Sequence, residues 1–503
     1  MHWNITLLWL AVLIPLTAAT TASLHPVLNQ VLNHYSEADD SLKRKAATFL
    51  FENMEGHSYM TFDLADTAGT VVAFDVLDYA TFADLESSFK TLENTRGTLD
   101  FQKRAVTMDD SVITAEFVID HVDRAMAAWR SRPWARDFSF AEFCEYILPY
   151  RGSNEPLELW REFFASRYDS AFNLMADPAD PIEAASLINR DLMSWFHFDP
   201  RFYYHPTDQG LADMRSTTLG RCEDMTNLTI YAMRANGLAV TSDYTPYWAN
   251  SGNNHAWNAI VTADGKVIPF MGAEANPGSY QLANKLAKVY RKTYSVQRDN
   301  LAFQVAIPED LPKYLSSKSY TDVTRDYTTV RDVTLDFAAP DSITIGYLCV
   351  FNSGEWKAIH WSRLQNGAAV FSDMGVGIAY LPACFSDGKI VPVGAPFILA
   401  EDGSVHPTIA DTTNLIRMEL TATTKTTLEM STDGIRKTNF LPDVVYELKF
   451  WRDGWQTLGT VAADDKPIVF DNVPSAAIYW LTAADSDREE RIFTYENNQQ
   501  VWW

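Results

Sequence analysis

The sequence predicts an α+β chain: a helical and mixed N-terminal region, an α+β core, and two tandem C-terminal β-sandwich-like modules. Three observations carry that prediction. Apolar residues recur at helical spacing through roughly the first 300 positions, with only a few short alternating runs between them. From about Thr329 onward the pattern becomes short strands separated by turn dipeptides such as Asp453-Gly454. Within that second part Tyr347, Phe351, Trp356, Phe371 and Tyr380 recur as Tyr446, Phe450, Trp455, Phe470 and Tyr479, at a constant spacing of 99 positions (446 less 347). Aromatic residues matching at one spacing argue for duplicated β modules, with the aromatics facing each core.

Taken in order, residues 1–22 read as a signal peptide. An apolar run from Ile5 to Leu16 precedes small residues, with cutting expected near Ala19 or Ala22. The run is too short, and too interrupted by Pro15, for a lasting membrane anchor, which needs about 20 residues. The chain is therefore expected to be exported, to a periplasm or to the extracellular space or cell surface, with no membrane span after signal removal. No cysteine lies near the signal, which excludes an N-terminal lipoprotein. Residues 23–135 form the mixed α/β N-terminal region and 136–305 the core. A linker (306–328) and two β modules (329–425 and 426–503) follow. Helices are expected over His25–Met54, Phe82–Glu93, Glu116–Arg130, Pro156–Phe164 and Pro181–Phe198, the last started by the Asp180-Pro181 pair. A strand is expected over Thr70–Val76.

Composition excludes several functions. Forty-one basic against 65 acidic side chains leave a net charge of −24, a field that repels phosphates and makes nucleic acid a poor partner. Four cysteines in 503 residues are too few for a disulfide scaffold. Cys349 and Cys384 share a β-rich segment and are candidates for one pair, although two unpaired thiols are the plainer expectation. No His-Glu-x-x-His or paired Cys-x-x-Cys is present, and no Gly-rich phosphate loop precedes a helix, so no metal and no cofactor are expected.

The chemistry concentrates in two short segments. Leu219-Gly-Arg-Cys-Glu-Asp-Met leads into a helical pattern ending at Asn236-Gly237. Cys222 then sits at a helix N-terminus, where the dipole and free N–H groups favour a thiolate. Asn253-Asn-His-Ala-Trp-Asn opens an alternating strand that runs to Asp264-Gly265. A two-residue turn there places Glu274 opposite His255, where a carboxylate would hold the imidazole. Gly220 leaves room for a substrate backbone, and Trp257 and Asn254 are the neighbouring candidates for substrate contact. Arg151, Glu155 and Arg161 suit a buried ion network, and Cys144 a structural role.

Gly220-Arg221-Cys222 and His255-Ala256-Trp257, in that order, resemble the transglutaminase-like superfamily of thiol enzymes, which shares a papain-like core. The family's third element, an Asp after an apolar-Pro-apolar run, falls at Met271 after Ile268-Pro269-Phe270; Glu274, or Asn254 or Asn258, is the candidate replacement. Phe143–Arg151 and Asn154–Arg161 resemble a segment upstream of the core in large exported members. The Trp-rich modules are similar to those of secreted proteins of the Bacteroides group. The resemblance implies a cysteine peptidase, amidase or acyltransferase acting on peptide, protein or glycoprotein amide bonds through Cys222, His255 and Glu274, without cofactor. Two alternatives stand beside it. One is a non-catalytic surface protein whose β modules bind glycan or a protein partner; the other is a glycoprotein-deglycosylating amidase.

Overall fold

The computed structural model describes residues 25–305, 311–337, 342–425, 438–464, 466–483 and 489–503. The expected signal peptide lies outside them. The N-terminal region runs α1 Pro26–His34, α2 Ser41–Glu52, β1 Ser58–Asp66, α3 Phe82–Arg96, β2 Leu99–Met108, α4 Asp109–Val112 and α5 Ala115–Ser131. Then come α6 Phe140–Tyr146, α7 Arg161–Tyr168, α8 Pro181–Met193, β3 His197–Phe198, α9 Leu211–Thr217, β4 Leu219–Gly220 and α10 Cys222–Ala235. The sheet strands follow as β5 Val240–Thr245, β6 His255–Val261, β7 Val267–Phe270, β8 Tyr290–Lys292 and β9 Tyr320–Asp322. No helix among the described residues is long and apolar enough to cross a membrane.

The expected helices form with local corrections. Asp180 caps α8 by accepting from Ile182 N at 2.8 Å with Pro181 in the first turn, but the helix stops at Met193. The helix expected from Pro156 begins only at Arg161. Before it, the Glu155 carboxylate takes the Gly152 and Ser153 amides and Trp160 Nε1 donates to Tyr150 O, which folds the segment into a loop. The Thr70–Val76 strand reduces to one bridge between Val71 and Ala65, because the Asp66 carboxylate caps the amides of Ala68 and Thr70 and turns the chain.

The core sheet has the order β7-β6-β5-β8-β9. Its edge strand β9 lies inside the segment expected as a linker, so residues 320–322 belong to the core. One apolar core joins α1, α2 and α5 to α8, α10 and the sheet, from Leu28 and Val118 to Leu228 and Trp257. The N-terminal helices are therefore packed into the core rather than set apart from it.

Beyond this lie β10 Val330–Asp336, β11 Ile345–Asn352, β12 Glu355–Arg363, β13 Ala368–Gly375, β14 Ile378–Ser386, β15 Lys389–Pro392, β16 Phe397–Leu399 and β17 Val405–Pro407. The second set is β18 Asp411–Leu420, β19 Val445–Trp451, β20 Trp455–Ala462, β21 Ile468–Ser475, β22 Tyr479–Ala483, β23 Ile492–Glu496 and β24 Gln499–Trp502. The strand orders match: β12-β11-β14-β16-β17 against β20-β19-β22-β23-β24, and β10-β13 against β18-β21. Because β18 starts at Asp411, the second set begins before the expected boundary at 426.

The repeat is real but not gapless. Trp356, Phe371 and Tyr380 occupy the same places as Trp455, Phe470 and Tyr479, whereas β11 and β19 correspond at one residue more. Leu348 pairs Pro382 and His360 as Leu448 pairs Leu481 and Gly459, with a bulge after each. Between these pairs the first hairpin is one residue longer, and the difference falls at the tip, where Asn352 pairs with Glu355. Ser353-Gly354 makes a two-residue turn with φ of 49° and 79°, while Arg452-Asp453-Gly454 takes three residues. Side chains alternate along a strand, so the slip sends Tyr446 and Phe450 into their own module's core and Tyr347 and Phe351 out of theirs. The two tryptophans also leave their module cores. Phe351, Trp356, Trp451 and Trp455 meet at a seam, with Trp356 and Trp451 ring centres 5.8 Å apart, against the face of Tyr244 and Tyr290. Cys349 and Cys384 are free thiols, and Cys349 pairs across the sheet with Leu381.

Candidate functional site

The first turn of α10 is built by charge. Arg221 N donates to Asp224 Oδ2 at 2.9 Å and Gln209 N to Asp224 Oδ1 at 3.1 Å, so a buried carboxylate occupies the positive end of the helix. Arg221 pairs with Asp208, and Glu223 pairs with Lys292, whose Nζ also donates to Ser153 Oγ at 2.7 Å. Burial pushes Asp208 up to about 6. These contacts fix the backbone on which Cys222 is the first helical residue, as expected. Gly237, with φ of 74°, ends the helix beyond Asn236.

Strand β6 lies along this helix. Asn258 Nδ2 donates to Thr226 O at 3.3 Å, and the chain leaving α10 returns as β5, whose Val240 pairs with Ile260. The C-terminal end of α10 thus meets the far end of β6, and Cys222 and His255 share the opposite end. His255 Nε2 lies 2.6 Å from the Tyr280 hydroxyl. The imidazole stacks on Trp248, ring centres 5.7 Å apart, and leans on Trp257 at 5.8 Å. The Cys222 thiol is hydrogen-bonded to the Tyr203 hydroxyl, 3.9 Å from Sγ. Thiol and imidazole are not hydrogen-bonded to one another.

The electrostatics set a neutral resting pair. Burial pushes the Cys222 thiol up, aided by the charges of Glu274 and Glu223 and opposed by the Tyr203 hydroxyl. Burial alone pushes His255 down. The depressed thiol expected from the helix end is therefore absent, because the dipole is already answered by Asp224 and burial disfavours a second anion. The Tyr203 hydroxyl is pushed up to about 12 by burial and the neighbouring thiol. Tyr280 also rises, through burial and then the charges of Glu274 and Cys222, so it stays a neutral hydroxyl.

Glu274 does not hold His255. The Asp264-Gly265 turn is wider than two residues: Thr262 N donates to Lys266 O at 3.0 Å, and the register shifts by one, pairing Asn258 with Phe270. β7 then ends at Phe270, and residues 271–275 turn back on themselves around Asn189 of α8, which accepts from Ala273 N at 2.7 Å. Glu274 is exposed on this turn, and its carboxylate makes no hydrogen bond among the described residues. Met271 is buried. Gly272 is required because a Cβ there would clash with Thr229 Oγ1 and Asn258 Oδ1.

The remaining expected residues divide. Gly220 is buried, and a Cβ would strike Asp224 and Phe196, so the glycine serves packing rather than a substrate backbone. Trp257 is fully buried, edge-on to Tyr327. Asn254 is exposed beside His255, and Asn258 is spent on Thr226 O and Thr241 O. Arg151 pairs with buried Asp109, and Arg161 donates to His121 Nδ1 and four main-chain carbonyls, from Ile147, Leu148, Pro149 and Arg234. Both are structural. Cys144 is buried and its thiol pushed up by burial. Tyr280 and Tyr203 were missed, since both come from irregular segments without periodicity. Among the described residues no cluster of His, Cys, Asp and Glu is arranged to hold a metal.

Residues 169–270 match the family model described as the transglutaminase-like superfamily; the match holds Cys222 and His255 and stops one residue before Met271. No curated protein matches the chain in sequence. Among solved structures, red sea bream transglutaminase is similar over 87% of this chain and 76% of its own, at 7% identity and a TM-score of 0.22. Residues 169–270, the segment that holds Cys222 and His255, are thus similar to the transglutaminase-like superfamily.

Proposed function

We propose that the protein is an exported thiol enzyme that cleaves or transfers amide bonds of peptides or glycopeptides through an acyl-enzyme on Cys222. The observation that carries this reading is the shared end of α10 and β6, with His255 Nε2 committed to Tyr280. That commitment leaves Nδ1 as the imidazole's free nitrogen. As Sγ bonds to the substrate carbonyl carbon, Nδ1 takes the thiol proton, and N–H groups of the first turn of α10 receive the oxyanion. The proton then passes to the leaving amine as the C–N bond breaks, and water or a second amine opens the thioester. Tyr280 holds the ring and accepts from Nε2–H when the imidazolium forms, in place of the missing carboxylate. A neutral hydroxyl stabilises that cation less than an anion would.

A second reading, a binding protein with a degenerate core, is favoured by buried Met271 and by the raised thiol. An activated ester separates the two. With p-nitrophenyl acetate, we expect a burst of p-nitrophenolate and an acetyl group on the Cys222 peptide, lost in Cys222→Ala and strongly slowed in His255→Ala. A burst that survives Cys222→Ala rules the enzyme reading out.

A further inference from the structure

Nine residues, 246–254, connect β5 to β6 and end on His255, with the neck closed by the Thr245–His255 pair. The loop carries Trp248, which stacks on the imidazole. Its backbone is held chiefly from the C-terminal modules. Buried Asn352, at the tip of the β11–β12 hairpin, donates from Nδ2 to the carbonyls of Trp248, Ser251 and Asn253 at 3.0, 2.9 and 2.9 Å. Asn253 N reaches Ser353 Oγ at 3.4 Å. From the second module, buried Arg491 donates to Ala249 O at 2.7 Å and to Trp503 O at 3.0 Å, while Ser251 Oγ meets Glu489. On the core side Ala249 N donates to Lys285 O at 3.1 Å. Three carbonyls converging on one buried amide are costly to leave unpaired, so this loop geometry requires the hairpin.

We infer that Asn352 and Arg491 are positioning residues for His255: the β modules clamp the loop that sets Trp248 against the imidazole. This rests on the thiol-enzyme reading for its catalytic consequence. The modules then act as a wall of the site rather than as separate binding arms. Releasing the clamp frees the Trp248 stack, admits water to the ring, and lets His255 leave the orientation that Trp248 and Tyr280 give it. Burial is what lowers the His255 pKa, so release moves that pKa upward, toward about 6.5.

The test uses the full chain and two substitutions in different modules, Asn352→Ala and Arg491→Met, with Arg491→Lys as the conservative partner. Two readouts are taken: p-nitrophenyl acetate turnover against pH, and the His255 ring titration by NMR. Each disruptive variant is expected to lower kcat by about tenfold with little change in KM. Its acid limb and its ring titration should both move up, while Arg491→Lys stays close to wild type. Unchanged kcat and unchanged titration in both variants overturn the clamp while leaving the enzyme reading intact. A wild type without Cys222-dependent turnover overturns the enzyme reading, and the NMR titration still decides the clamp. If one variant fails to fold, the other, anchored in the other module, decides.

Discussion

The two β modules share a strand order but not a task at their hairpin tips. In the first module the two-residue tip puts Asn352 under the loop of His255. The corresponding residue of the second module, Arg452, is exposed on a three-residue tip. A one-residue difference in hairpin length, the first being the longer, changed what the tip reaches while the cores stayed equivalent. Tyr380 and Tyr479 still donate their hydroxyls to the carbonyls of Gly375 and Pro474, five residues back in each case. A duplicated fold thus keeps its packing positions and diverges where a turn meets a neighbour.

Graded substitutions separate what the two modules share from what they do not. The largest expected effect is at the seam, where both modules contribute. Trp451→Ala removes a nearly buried indole and should cost about 3–5 kcal/mol in a denaturant titration. It should leave the pH dependence of turnover unchanged in the protein that remains folded. A shifted acid limb there would show that the seam, not the tip, governs His255. Smaller and paired are the losses expected from Tyr380→Phe and Tyr479→Phe, each about 1–2 kcal/mol for one buried hydrogen bond left open. Costs that differ by several-fold would mean that the two tyrosine contacts are not equivalent. The smallest effect is Arg452→Ala, which should alter neither stability nor turnover by more than experimental scatter; a loss matching Asn352→Ala would erase the distinction between the tips.

Much of this was legible in the residues. Helix α10 begins at Cys222 and ends at Asn236-Gly237, because a charged first turn and a left-handed glycine are both local signals. The aromatic repeat announced the duplication. What it could not announce was that the second hairpin is one residue shorter at its tip, since two sequences in register on either side of a turn hide a one-residue slip within the pairing. The same limit explains Glu274. Asp264-Gly265 marks a turn, but its width depends on Thr262 and Lys266, and one residue moves a carboxylate to the wrong face. Tyr280, Asn352 and Arg491 lie in loops, at a hairpin tip or just before a strand. There the fold, rather than any spacing, brings them to the site.

At this site a tyrosine, and neither Glu274 nor Met271, holds the His255 ring. The most direct measurement is the single-turnover rate of acetyl transfer from p-nitrophenyl acetate to Cys222 in Tyr280→Phe beside Glu274→Gln. Tyr280→Phe should lower that rate by about 10- to 100-fold, the scale of a lost positioning hydrogen bond. Glu274→Gln should hold the wild-type rate or raise it slightly, since its charge opposes the thiolate. A Glu274→Gln loss as large as this, with Tyr280→Phe at the wild-type rate, would restore the carboxylate to the triad and take Tyr280 out of it.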